Sequence, residues 1–150
     1  MSDHVVLPPE RHIARRPGIF IPPLLIFPLL AYNILAFTVF GGNPDGWAGP
    51  LFSIPMVSGQ AWALTSADLM LVVGLIVLFF EIVKSTQSGR ASVLEHMLST
   101  LVFILFLVEF LLVGACASSV FFILMVMALF DVVAGFTVSI TSAGRDVTMA

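Results

Sequence analysis

Long apolar stretches separated by short polar breaks dominate the chain. The first runs from about residue 19 to 40 and the second from 66 to 84. The third and fourth form one run, 93 to 140, broken only by Gly114-Ala115-Cys116-Ala117-Ser118-Ser119. A helix crosses a hydrocarbon core in about 20 residues. At about 1.5 Å per residue the last run is more than twice the thickness of a bilayer, so it has to fold back on itself. The small, weakly polar segment 114–119 is where a tight hairpin fits. The pattern therefore predicts an all-α membrane protein of four transmembrane helices. They span about 19–40, 66–84, 93–114 and 119–140, in one domain, 18–150, behind a proline-bearing cytoplasmic tail, 1–17. The first span is too long for a cleaved signal peptide, and no small-residue cleavage site follows it.

Composition points the same way. Hydrophobic residues make up 59% of the chain and charged residues only 10%. An ordinary soluble domain carries about 25% charge and about 45–50% apolar residues. Too few charges remain to cover a water-exposed surface, which removes the soluble-enzyme classes. The net charge is −3, from 6 basic and 9 acidic residues. No basic cluster is large enough to track a phosphate backbone, so no nucleic-acid partner is expected. The single cysteine, Cys116, cannot close an intrachain disulfide.

The cations predict an orientation. Arg11, Arg15 and Arg16 precede the first span, Lys84 and Arg90 lie between the second and third, and Arg145 follows the fourth. With four spans these segments share one side, while 41–65 and 114–119 contain no Lys or Arg. The positive-inside rule then places both termini in the cytoplasm, in a multi-pass protein of the inner (plasma) membrane.

The outer loop 41–65 opens on Gly41-Gly42-Asn43-Pro44-Asp45-Gly46, a turn cluster. Phe52, Ile54 and Met56 then alternate with other residues, as do Trp62 and Leu64 beyond Ser58-Gly59. This fits a short β-hairpin with a two-residue turn, in which Pro55 restricts the pairing to an edge. An apolar loop lying on the membrane fits the pattern equally well. Thr65-Ser66-Ala67-Asp68 signals the start of the second span. Ser92-Val93-Leu94-Glu95 signals the start of the third as a capping box, giving Asp68 and Glu95 structural roles.

Three acids remain inside the spans. Glu81 lies near the cytoplasmic end of the second, with Lys84 three residues on, which suggests an interfacial ion pair and a candidate cytoplasmic relay. Counted from the cytoplasmic ends, Glu109 lies about 22 Å deep and Asp131 about 16 Å deep, leaving them roughly 6 Å apart along the axis. Asn33 in the first span lies at about the depth of Glu109 on the same count. Pro28 is expected to kink that span. The reading is a midplane polar cluster of Asn33, Glu109 and Asp131, with no cation of the chain at that depth. Burying an ionisable group costs about 2.5–3.5 kcal/mol on insertion scales, so these groups should face a bundle interior. Ala128, Gly135, Ser139 and Ser142 share an arc with Asp131, a small-residue face suited to close helix packing.

Other chemistries fit poorly. His4 and His12 lie in the tail and His96 stands alone in the third span, so neither haem nor a metal site is expected. No catalytic set gathers at one membrane face, so an enzyme acting on lipid or quinone is not expected either. The leading functional expectation is a non-enzymatic accessory or assembly subunit of a larger membrane complex. Its small-residue face and buried acids would pack against a protein partner or a second copy within the lipid bilayer. The alternative is a small proton- or cation-coupled transporter or channel carrying protons on Glu109 and Asp131.

Overall fold

The computed structural model describes residues 22–87 and 92–148, with side chains over 22–85 and 94–141. The expected tail 1–17, the start of the first span, the Ser92 capping side chain and Ser142 lie outside these. In chain order the elements are α1 (Ile26–Thr38), a 3-10 turn (Pro44–Ala48), β1 (Pro50–Pro55), β2 (Ala61–Thr65), α2 (Ser66–Gln87), α3 (Ser92–Leu112), a second 3-10 turn (Gly114–Cys116) and α4 (Ser119–Thr148). Three helices are long and apolar enough to cross a membrane, over Ser66–Ser85, Leu94–Leu112 and Ser119–Thr141. These match the second, third and fourth expected spans to within two residues. The described α1 has 13 residues, about 20 Å at the usual rise, which is shorter than a hydrocarbon core.

The turn at 114–116 reverses the chain, so α3 and α4 run side by side, and α4 also packs along α2. Its buried positions, Val120, Phe121, Leu124, Met127, Ala128, Asp131 and Gly135, recur every three or four residues, one stripe of a 3.6-residue helix. In lipid no hydrophobic driving force joins helices, so close packing has to do so. Two glycines provide it. A Cβ at Gly74 would stand 2.6 Å from Leu124 Cδ2, and one at Gly135 would stand 2.5 Å from His96 Nδ1. Apolar side chains on the opposite faces, such as Phe79, Phe130 and Leu112, are exposed, as lipid-facing residues are.

Pro28 does not kink α1. It is the third residue of the helix, in the first turn, where a missing N–H breaks no intrahelical bond.

The β-hairpin forms, with Phe52 opposite Leu64 and Ile54 opposite Trp62, the alternation expected from the sequence. Its turn is longer than two residues. Met56 N–H donates to Gln60 O at 2.8 Å and Gly59 N–H to Met56 O at 2.9 Å, enclosing Val57-Ser58-Gly59. Gly59 has φ +82°, the left-handed residue that closes a three-residue loop at no steric cost. β2 runs straight into α2 across a closed capping pair. Thr65 N–H and Oγ1–H both donate to Asp68 Oδ2, and Asp68 N–H donates back to Thr65 Oγ1.

Candidate functional site: buried polar groups and the hairpin

Asn33 and Glu109 meet. Asn33 Nδ2 donates to Glu109 Oε2 at 2.6 Å and also to Leu29 O at 3.1 Å. The Cys116 thiol lies 4.0 Å from the same carboxylate oxygen. Beside them the Tyr32 hydroxyl donates to Ala115 O at 2.9 Å and shares a 2.7 Å bond with Ser118 Oγ. Ser118 Oγ in turn accepts from Phe121 N–H and so caps α4. These bonds fasten α1 to the turn between α3 and α4.

Asp131 is not part of that group, which corrects the three-residue cluster expected from the sequence. Counted from the shared turn, Glu109 is three residues before the end of α3 and Asp131 twelve residues into α4. They are therefore offset by about 13 Å along the axis. Counting from assumed cytoplasmic ends hid this, because α4, with 30 residues, outruns α3, with 21. The Asp131 carboxyl has Ser99 of α3 as its hydrogen-bond neighbour and Glu81 and Lys84 of α2 as its charged neighbours. A cation of the same chain therefore acts on a deep acid, contrary to expectation.

Glu81 carries more than the expected pair with Lys84. One oxygen accepts from Lys84 Nζ at 2.8 Å. The other accepts from the Leu24 backbone N–H at 2.8 Å. Lys84 Nζ reaches Pro22 O at 3.4 Å. The N-cap position of α1, Leu25, offers no side-chain acceptor. The Glu81 carboxylate from α2 therefore holds the turn that leads into α1, whose own first N–H groups, Ile26 and Phe27, donate to Pro23 O and Leu24 O. This gives Glu81 a tethering role across 57 residues of sequence.

The small-residue face of α4 is consumed inside the chain. Ala128 is buried, Gly135 admits the His96 ring, and Ser139 Oγ bonds His96 Nε2 at 2.6 Å. The sequence reading missed the His96–Ser139 and Tyr32–Ser118 pairs. The available signal was a lone histidine and a lone tyrosine, each facing a small hydroxyl residue on the next helix or turn. Among the described residues no three His, Cys, Asp or Glu side chains come together as a metal site would need.

Two features remain open. Among the described buried side-chain polar atoms, only Trp47 Nε1 has no hydrogen-bond partner. Trp47 stacks on Tyr32 with ring centres 4.5 Å apart and planes 14° from parallel. The Tyr32 hydroxyl is a close polar neighbour of the indole N–H. Trp47 borders an apolar groove of about 430 Å³ between α1 and α2. It also borders a polar opening of about 290 Å³ beside Asp45, Ser118 and Ser119. The second open feature is the hairpin. Every residue from Pro50 to Ala63 is exposed, including Leu51, Phe52, Ile54, Met56, Val57 and Trp62. Between Asp45 and Asp68 there is no charged residue, and among the described residues both strand edges are unpaired in a two-stranded sheet.

No protein-family model matches the chain, and no curated protein or solved structure matches it.

Proposed function

We propose that this protein is a small, non-enzymatic accessory or assembly subunit of a membrane complex, and that the hairpin is the surface it presents to its partner. In this reading the helices form a four-span, multi-pass bundle in the inner membrane, with both termini cytoplasmic and the hairpin on the outer side. The observation that carries the proposal is the contrast between the helices and the hairpin. Asn33 occupies Glu109, Ser99 attends Asp131, Lys84 and Leu24 N–H hold Glu81, and Ser139 holds His96. A proton path on Glu109 and Asp131 has about 13 Å to bridge between them. The hairpin, by contrast, is uncharged, apolar on both faces and open at both edges. An isolated two-stranded hairpin is marginal in water, and an apolar open edge is a template for another chain.

Purification in a mild detergent tests this. The wild-type chain is expected to bring down one stoichiometric partner, whether another protein or a second copy of itself. The Ile54→Asp variant, which puts a charge on the Phe52/Ile54/Trp62 face, is expected to lose that partner while keeping its own fold. A monodisperse monomer from wild type, with no partner in native membranes, contradicts the proposal.

A further inference from the structure

The two edges of the hairpin are not equivalent. The Met56–Gln60 bond and the register of the strands make Ile54–Trp62 and Phe52–Leu64 the pairs that exchange ladder bonds. In an antiparallel pair, the residues that alternate with these turn their N–H and C=O groups outward. They are Ser53 and Pro55 on β1, and Ala61, Ala63 and Thr65 on β2. On β1, Pro55 has no N–H to offer, and the register shifts between Pro50 and Phe52, so no run of donors lines that edge. On β2, the Thr65 N–H is already engaged by Asp68. The open ladder is therefore one short stretch, Ala61-Trp62-Ala63, with all three residues exposed. Its free backbone groups are symmetric about Trp62.

We propose that this stretch pairs with the same stretch of a second copy of the chain, β2 against β2, antiparallel about a two-fold axis at Trp62. Ala61 of one copy then faces Ala63 of the other, and each such pair exchanges both of its N–H···O=C bonds. Other two-fold registers waste donors. Centring on Ala63 sets Ala61 against Thr65, whose N–H is engaged. Centring on Ala61 sets Ala63 against Gly59, inside the loop. The Trp62 register also places the two indoles directly opposite each other in a non-hydrogen-bonded pair, where side chains come closest. They meet on the face that carries Phe52, Ile54 and Leu64. A longer foreign strand gains little beyond this, since it runs onto the loop at one end and the engaged Thr65 at the other. With no charged residue between Asp45 and Asp68, the two hairpins meet without like-charge repulsion. Two strands become four, and a sheet of three or more strands with an apolar face is stable where a lone hairpin is marginal. The inference rests on the hairpin being the partner surface and names that partner as a second copy.

Two differently tagged copies, expressed together and purified in mild detergent through one tag, test it. The second tag is expected to co-purify. Ala63→Pro removes an outward N–H and no bond within the hairpin, and is expected to lower the second tag severalfold. The register is read in native membranes on a Cys116→Ala background, which removes the single cysteine. Under a mild oxidant, Trp62→Cys is expected to close a disulfide-linked dimer. Because that variant removes the indole, Ala61→Cys in one copy with Ala63→Cys in the other checks the same register with Trp62 in place. Ser53→Cys, also exposed but on the β1 edge, is expected to give no dimer. A different protein co-purifying without the second tag overturns the self-pairing and leaves the partner reading standing. A monomer that brings down nothing overturns both. A second tag that survives Ala63→Pro, or cross-linking from Ser53→Cys as strong as from Trp62→Cys, overturns the edge pairing.

Discussion

The Asn33 amide and the Glu109 carboxylate join α1 to α3 through a 2.6 Å hydrogen bond across 76 residues of sequence. Interhelical hydrogen bonds in membranes average about 0.6 kcal/mol and reach about 1.7. Glu109→Gln keeps an acceptor oxygen for Asn33, so it is expected to change thermal stability little and to leave proton flux in liposomes at the vesicle background. Asn33→Leu removes the donor and is expected to cost more, about 1–2 kcal/mol, because the carboxylate is left part-buried without it. A thermal unfolding series in detergent ranks the two. An Asn33→Leu protein as stable as Glu109→Gln would show that the bond carries nothing.

The tether from α2 to the start of α1 predicts a local effect. Glu81→Leu removes the acceptor of Leu24 N–H and strands Lys84. Amide exchange at Leu24 and through the first turn of α1 is expected to accelerate well before exchange in α3 and α4 changes, because the turn leading into α1 loses its tie to α2. Uniform acceleration across all helices would assign Glu81 to global packing instead.

The two close-packing glycines should respond differently to the same substitution. Each gains about 1 kcal/mol of helix propensity on becoming alanine. At Gly74 the new methyl meets the tip of Leu124, which can rotate. At Gly135 it meets the body of the His96 ring, which Ser139 holds in place. Gly74→Ala is expected to be near neutral, and Gly135→Ala to be destabilising by about 1–3 kcal/mol, the usual cost of overpacking. Paired melting temperatures, with His96→Ala as the relieving second substitution, check this.

Cys116 gives a prediction with pH. Burial, with the Glu109 charge second, pushes its thiol up to about 11 from the ordinary value of 9.0. Below pH 9 both folded and unfolded forms hold the proton, and no stability depends on it. Between about 9 and 11 the unfolded thiol ionises while the folded one does not, so the unfolded state binds fewer protons and stability falls as pH rises. Cys116→Ala is expected to flatten that part of the stability profile. The folded wild-type thiol is also expected to resist maleimide at neutral pH, since the thiolate is the reactive form.

Much of this architecture is legible in the residues. The three long spans follow from apolar length, and the Thr65–Asp68 cap from its spacing. Alternation puts Phe52 and Ile54 on one face of their strand and Trp62 and Leu64 on one face of theirs, but the register of Ile54 against Trp62 is set by the three-residue loop and not by the two-residue turn the sequence suggests. Depth was harder to read. The placement of Asp131 depends on where α4 starts and how far it runs, and an apolar run does not mark its own ends. The partners of His96 and Tyr32 are set by helix rotation, which a nearly all-apolar helix leaves weakly specified. The role of Glu81 could not be read from spacing to Lys84 alone, since its second oxygen serves a backbone group on another helix.

The most direct measurement is photo-crosslinking from the hairpin in native membranes. A photoreactive residue replaces Ile54, which is 45% exposed and sits on the Phe52/Trp62 face. One dominant protein adduct of fixed mass is expected, abolished when Trp62→Asp is added. Adducts with lipid alone, or none, would contradict it.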